Sequence, residues 1–503
     1  MKLFLHVENK YINHLRYGST FSLTKELRLT EKMIRKQINC LLFIIFIELS
    51  AHVFATNCPK QPLFSTKTPY TFIGNNFTEN NAPKNCKPIQ INMVHRHGNR
   101  YPSDKDVNEM DKLLKFIQNK TFLNIAIPTK NLFKKEEDSL LNEIGEKELY
   151  EIGKRIRIRF SDLFQKRYSP LLYKFESTCK LRTVHSSNSL AAGLFENTGT
   201  LGACRIQPIA IQTYPCDSSK ELEFYKMCKS YTDKVEKNEE TKEEMKKFGK
   251  GTEMNNVLEK VKRKLGLSFS LEVNHLKIMY IYCSYEIGMF SGTMDTGFCS
   301  MFDNDDLQVI EYYFDLEDFY LSSKVFPITY QSSCPLLADI VKTLKTATII
   351  NSTESFNGIF RSGHSETIVP FLALLGVYLN EGYLTASNYK EMKARIFRAS
   401  CLAPFSANIY FVLYKCDDDN YKIQLSVNEH LVKIPCCDSK EDCSFSKFLE
   451  CYESIAEKCN YESMCTSSPS KTSNSKLIFN TWEFVSLYFT AIVSLFMAKK
   501  ILI

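Results

Sequence analysis

Two short stretches hold residue types that can move a phosphoryl group. The first is HRHGNRYP, residues 95–102, where two histidines and two arginines fall within six residues. Cations this close repel unless an anion sits between them; the alternative is a wet basic turn. A guanidinium offers a rigid fork of donors that matches two phosphate oxygens. Arg96 and Arg100 around His97 therefore describe an anion trap with a nucleophile at its centre. A neutral imidazole can attack phosphorus and carry the group, while arginines offset charge on the equatorial oxygens. The second stretch is GHSET, residues 363–367. A helix beginning near Ser365 would aim its free N–H groups at a bound anion. His364 adds a donor, and Glu366 is a natural proton source for a leaving alkoxide, with its carboxyl raised by nearby phosphate charge. An acid in a first turn also suits the helix macrodipole. Glu366 reads as catalytic only because the first stretch accompanies it.

The elements that must position these residues are legible. IQINMV, residues 89–94, alternates apolar and polar side chains and predicts a strand. The basic cluster follows at its C-terminal end, where α/β sheets place ligands. FNGIFRSGH, residues 356–364, predicts a strand feeding a turn at Gly363, after which helical periodicity resumes. Residues 105–123 and 139–168 predict helices, the second with an apolar face of Leu141, Ile144, Leu149, Ile152, Ile156 and Phe160. Residues 407–415 and 422–432 predict an antiparallel pair of strands. The charged run across 229–263 predicts a solvated helical excursion or a lid. Together these predict an α/β protein with a smaller, mostly α-helical domain inserted. The body would span about 86–200 and 330–435, and the insert about 105–170 and 205–330.

Bulk properties bound the function classes. The chain has 503 residues, 44% hydrophobic and 24% charged, with a net charge of +7. Outside residues 1–55 and 476–503 that charge falls to +1, which argues against a nucleic-acid reader. Eighteen cysteines suggest an oxidising compartment. Setting aside Cys40, inside a targeting segment, leaves an odd number, so at least one thiol is free or pairs outside the chain. The cluster Cys436, Cys437, Cys443, Cys451, Cys459 and Cys465 lacks the paired spacing of a zinc knuckle. Disulfides are expected there, and no metal or cofactor is implied. LLFIIFI at 41–47, followed by VFAT, has the shape of a signal peptide cut near Ala55, with translation expected to begin at Met33. Sequons at Asn76, Asn119 and Asn351 fit a secreted route. Residues 466–476 form a linker to an apolar stretch at 484–498. That stretch would span about 23 Å as a helix, short of the roughly 30 Å hydrocarbon core. It resembles a lipid-anchor attachment signal, with a short tail anchor or a buried helix as alternatives. A location outside the cell, at its surface or in the endoplasmic reticulum lumen follows, with membrane attachment through the tail as one route.

The motifs carry a more specific resemblance. RHGNRYP at 96–102 matches the RHGxRxP pattern of the histidine acid phosphatase family. HSE at 364–366 is similar to the HAE of its multiple inositol polyphosphate phosphatase branch, where most members have HD. The resemblance extends through residues 298–320, 402–416 and 425–437 and covers about 86–465. It implies a central mixed sheet flanked by helices, with substrate bound between the sheet body and a smaller helical domain. It also implies His97 as nucleophile, Glu366 as acid, and Arg96, Arg100 and His364 as ligands of the scissile phosphate. Inositol hexakisphosphate and other inositol polyphosphates would be substrates, and 2,3-bisphosphoglycerate a further one. The family's third phosphate-binding arginine is expected in a motif matched here by HSSNSLAAGLFENTG, residues 185–199, which contains none. Arg182 lies upstream of those serines and reads as outside the motif; it and His185 are left as partial substitutes. A lost charge-assisted contact would leave about 1.5–3 kcal/mol unmade. That departure supports a second reading, a weak or inactive relative that binds phosphorylated ligands. A broad-specificity acid phosphatase is a third.

Overall fold

The computed structural model describes Cys58 and residues 64–73, 82–118, 127–290, 297–349, 352–378, 382–438 and 443–466. The expected signal peptide, the three sequons and the C-terminal tail lie outside these residues. Among the described residues no helix is long and apolar enough to cross a membrane.

One mixed sheet organises the chain. Its strands are β1 (Cys86–Arg96), β2 (Tyr173–Ser177), β3 (Ile211–Thr213), β4 (Gly358–Gly363), β5 (Asn408–Cys416), β6 (Tyr421–Val427), β7 (His430–Val432) and β8 (Cys443–Ser444). The order is β3-β2-β4-β1-β5-β6-β7, with β8 beside β6. β1, β2, β3 and β4 run parallel, and β5 returns antiparallel to β1. Arg96 pairs with Gly363, and Ser177 with Ser362. Three strand ends therefore meet at one edge, and His97, Thr178 and His364 are the next residues out. The predicted strand at 89–94 is longer than its alternating core, because β1 is paired on both sides. The expected antiparallel pair is β5 and β6, with Ile409 opposite Val427.

Helices cover both faces. α1 (Asp104–Gln118) lies on the opposite face from α2 (Glu143–Arg159) and α3 (Leu181–Leu194). α2 and α3 press Leu149, Ile152, Ile156, Leu190 and Leu194 against Ile91, Met93, Phe360 and Tyr410. α2 thus packs with the sheet, although the sequence reading assigned its residues to a helical insert. The other face continues into the helical region as one core. This core takes in α1, α4 (Glu243–Gly249), α5 (Thr252–Lys264), α6 (Val273–Phe290), α7 (Asn304–Ser322), α8 (Cys334–Ala347) and α9 (Ser365–Leu375). The run 229–263 is not a solvated excursion. Met254, Val257, Leu258 and Val261 of α5 are buried at helical spacing, as are Met245 and Phe248 of α4. Their lysines and glutamates occupy only the outer face, which hides the apolar stripe.

Among the described residues, eight disulfides join sixteen cysteines, and Cys204 is free and exposed. Within the C-terminal cluster Cys436 pairs with Cys451 and Cys437 with Cys443, while Cys459 and Cys465 reach back to Cys334 and Cys228.

The loop after β1 is held by backbone and by one buried acid. The His97 N–H donates to the Gly363 carbonyl at 3.1 Å, and the His97 carbonyl accepts from Ser406. A Cβ on Gly98 would come within 2.5 Å of the Gly145 carbonyl oxygen, so only glycine lets this loop sit on the first turn of α2. Glu148 of α2 is buried and accepts from the Tyr70 amide at 2.8 Å, the Asn99 amide at 3.1 Å and the Ser406 hydroxyl at 2.7 Å. Glu148→Ala leaves these three buried donors unpaired and should destabilise the protein by on the order of 3 kcal/mol or more. Denaturant unfolding with the disulfides intact measures this. A loss below about 1 kcal/mol would show that the loop does not depend on Glu148.

Candidate active site

His97 sits at the centre of the sheet edge and is 3% exposed. Its Nδ1 lies 2.9 Å from the Gly98 carbonyl oxygen. A carbonyl only accepts, so Nδ1 carries the proton and Nε2 keeps the lone pair. Burial pushes the ring well below its ordinary range, and Arg96, Arg182, Arg100 and His364 push it further. Both effects favour the neutral imidazole, the state a nucleophile needs.

The cations around it are fixed by carbonyls. Arg96, 4% exposed, donates through Nη1 to the Ala403 carbonyl at 2.6 Å and to that of Thr66, and its guanidinium lies 4.7 Å over the Phe405 ring. Burial lowers it to about 10, partly opposed by Glu366, so it stays charged. Arg100 donates to the Tyr101 carbonyl at 2.7 Å. The third cation is Arg182, on the first turn of α3, with Nη2 3.4 Å from His364 Nδ1. Burial lowers it too, followed by repulsion from Arg100, while Glu366 attracts it. The Nε atoms of Arg96, Arg100 and Arg182 are all buried and have no hydrogen-bond partner among the described residues. Three guanidinium groups with idle donors around one imidazole form a receptor for a multiply charged anion.

Arg182 corrects the sequence reading. The structure brings an arginine to the site from the turn of α3 that precedes the serines, whereas the motif pattern as read in the sequence places one after them. Of the serines, Ser186 supports the loop after β1, accepting from the Gly98 amide at 3.0 Å. The arginine-to-serine spacing of one helical turn is the signal that could have found it. His185, the other suggested substitute, is exposed.

His364 and Glu366 flank the same space. The His364 and His97 rings are 5.8 Å apart between centroids. His364 Nε2 lies 3.1 Å from the Thr178 hydroxyl and 3.9 Å from Glu223, a fully buried acid that sequence reasoning missed. Burial lowers His364 to about 3, with Arg182, Lys226 and Arg96 also lowering it against the pull of Glu366. α9 begins at Ser365 as expected, placing a positive helix end at the site. Glu366 is exposed in area yet crowded by protein, and accepts from the Ser365 hydroxyl at 2.8 Å. That crowding works to raise its carboxyl, but His364, a backbone amide, Ser365 and Arg96 outweigh it, and the carboxyl lies below its usual range. The rise expected from the sequence is tied to the charge of a bound phosphate. The protein's own positive field has the opposite effect, so any rise must come from phosphate charge. All five residues singled out in the sequence, Arg96, His97, Arg100, His364 and Glu366, are thus brought to one edge, with Arg182 added.

The chain has clear relatives. The profile of the histidine phosphatase superfamily (branch 2) matches residues 89–428. Multiple inositol polyphosphate phosphatase 1 of Gallus gallus is 28% identical over 406 residues, covering 78% of this chain and 87% of that protein. The Homo sapiens protein of the same name is 27% identical over 405 residues, covering 76% and 82%. Among solved structures, a phytase from D. castellii shares the fold with a TM-score of 0.62 at 15% identity, over 84% of this chain and 91% of that one. The Bifidobacterium longum multiple inositol polyphosphate phosphatase, in complex with inositol hexasulfate, does so with a TM-score of 0.56 at 17% identity, over 74% and 93%.

Arg182→Ala removes one charged donor set, worth about 1.5–3 kcal/mol, so affinity for inorganic phosphate should fall roughly tenfold to a hundredfold. His185→Ala should leave it as it was. Calorimetric titration compares the two, and equal effects would remove Arg182 from the site.

Proposed function

This chain belongs to branch 2 of the histidine phosphatase superfamily, and from that premise we propose that it removes phosphates from inositol hexakisphosphate and other inositol polyphosphates through a phosphohistidine at residue 97. The observation that carries the reading is the buried His97, its protonation disfavoured, ringed by three guanidinium groups whose Nε donors have no partner among the described residues. The names of the relatives supply the substrate class. A small bisphosphate such as 2,3-bisphosphoglycerate is a further candidate substrate.

The chemistry follows from the placement of each group. A phosphate monoester enters with its non-bridging oxygens on Arg96, Arg100, Arg182 and His364. The lone pair on His97 Nε2 attacks phosphorus in line with the ester oxygen, and the P–O bond to the leaving group breaks. The proton of Glu366 passes to that oxygen, releasing an alcohol and leaving a carboxylate. The guanidinium groups offset charge that builds on the equatorial oxygens. Water then attacks phosphorus with Glu366 taking its proton, the N–P bond breaks, and inorganic phosphate leaves with the imidazole neutral again. The Nδ1–H bond to the Gly98 carbonyl keeps the ring in the right tautomer throughout. The reading of the chain as a mere phosphate binder rested on the absent third arginine, and Arg182 removes that support. The disulfides indicate passage through an oxidising, secretory compartment.

Phosphate release from inositol hexakisphosphate by the wild type, absent in His97→Ala, tests the activity. Trapping of phosphate on His97, mapped by mass spectrometry without acid quench, tests the route; label on serine or aspartate would overturn it. A second expectation concerns pH. Glu366 must be protonated to act, and the free enzyme holds its carboxyl below the usual range. The dianionic substrate opposes that field and raises it. The alkaline limb of kcat/KM, corrected for substrate ionisation, should therefore lie at lower pH than that of kcat. Glu366→Gln should abolish both limbs and slow poor leaving groups more than p-nitrophenolate. Coincident limbs, or equal slowing, would give the proton to another group.

A further inference from the structure

Glu223 takes no part in the proposed transfer, yet it is 0% exposed and lies against a phosphate ligand. A latch brings it there. The Leu222 carbonyl accepts from the Thr367 hydroxyl at 2.7 Å, and that hydroxyl accepts from the His364 amide at 3.1 Å. Glu223 Oε1 accepts from the Lys226 ammonium at 2.6 Å and lies 3.9 Å from His364 Nε2. Oε2 is buried with no hydrogen-bond partner among the described residues. Lys226 also donates to Asp217 at 3.0 Å. Two carboxylates thus share one ammonium, which leaves a negative charge in excess beside an imidazole. A buried carboxylate with an idle oxygen is costly unless a further cation completes it.

Proton counting fixes the tautomer of His364. The Thr183 hydroxyl has one proton, and the carbonyls of Lys180 at 2.7 Å and Thr178 at 3.2 Å take it. The contact between the Thr183 and Thr178 hydroxyls at 2.8 Å is therefore donated by Thr178. Thr178 is left to accept from His364 Nε2 at 3.1 Å, so Nε2 carries the proton. Nδ1 holds a lone pair and faces Arg182 Nη2 at 3.4 Å, which only donates. Turning both hydroxyls round would forfeit the bond to Lys180 and aim the Nε2 lone pair at Glu223. A neutral His364 thus offers no N–H on its arginine side, and it donates to a phosphate there only after Nδ1 gains a second proton. Burial, then Arg182 on α3, Lys226 on the segment after β3 and Arg96 at the end of β1 oppose that proton, while Glu366 on α9 and Glu223 favour it.

We propose that Glu223 is a positioning residue that lets His364 meet the scissile phosphate as an imidazolium. Glu223 and Thr178 hold the Nε2 proton, and the bound anion brings the second proton onto Nδ1, which hydrogen-bonds to a non-bridging oxygen in place of its contact with Arg182. A phosphate monoester at acid pH carries that proton itself. Its singly protonated phosphate passes the proton to Nδ1 and binds as the dianion, so the count closes without a further donor. The positive ring then lies between two negative groups, the phosphate and Glu223. This role rests on the proposed function and deepens it, because it concerns how the same site takes the phosphate.

Inorganic sulfate separates the two sources of the proton, because at mildly acidic pH it is a dianion that brings none. The full chain carrying Glu366→Gln, which removes the other carboxyl able to take up a proton at the site, is titrated with sulfate in buffers of different ionisation enthalpy. Calorimetry should show on the order of one proton taken up per sulfate bound. Adding Glu223→Gln should reduce the uptake to near zero and weaken sulfate about tenfold. Sulfate bound without proton uptake overturns the proposal, as does a parent that binds no sulfate. Uptake that survives Glu223→Gln also overturns it, by placing the proton elsewhere, as on His97. If Glu223→Gln fails to fold, which thermal unfolding reports, histidine nitrogen NMR of the parent decides, and a His364 Nδ1 that stays unprotonated with sulfate bound overturns the role. Absence of phosphate release by the wild type would instead overturn the proposed activity and leave the proton count standing, so the two failures are separable.

Discussion

Three guanidinium groups crowd one neutral imidazole, and the rest of the structure is arranged to hold that repulsion in place. Among the described residues no acid neutralises the cluster at contact distance. Arg96 is clamped by the carbonyls of Thr66 and Ala403 and by the face of Phe405, and Arg100 by the carbonyl of its neighbour. Carbonyls fix a cation without cancelling its charge, so the site keeps its attraction for a phosphate dianion. Burial first and then the same field disfavour protonation of His97, and the field favours an ionised Glu366 until substrate charge shifts the balance. Binding and catalysis therefore draw on one electrostatic source.

That source needs a scaffold that resists relaxation. The sheet brings three parallel strand ends together, and Glu148 ties the loop after β1 to the turn at 64–70 and to Ser406. The disulfide between Cys58 and Cys401 joins the two segments that carry the Thr66 and Ala403 carbonyls. Another joins Cys179, between Thr178 and Arg182, to Cys216 on the approach to Glu223. Covalent links thus lie beside the segments that bear repelling groups, which limits the freedom of the unfolded chain and keeps those segments adjacent in the folded one.

Much of this is readable from sequence because it is local. RHGNRYP and GHSE each place several functional groups within one loop, and the strands before them show their pairing in alternating apolar residues. The antiparallel pair β5 and β6 is equally plain. The charged run at 229–263 misleads because surface charge dominates composition while core contact depends on spacing. Arg182 escapes notice for a related reason. Along the chain it stands before the serines and outside the motif, whereas on a helix one turn brings both to the same face.

The proposed chemistry is readable in the residues themselves: a candidate histidine nucleophile, an anion trap, a candidate acid, and cysteines that suit a disulfide-bonded α/β frame. Those follow from residue types at short range, which the chain preserves however it folds. Which distant residues share that charge field is settled by the tertiary structure alone. Glu223 is the plainest case: it lies far along the chain from both motifs, and nothing in its own neighbourhood marks it as a partner of His364. Electrostatic coupling depends on distance through space and on burial, and both exist only once the sheet edge and the helical core have closed around His97.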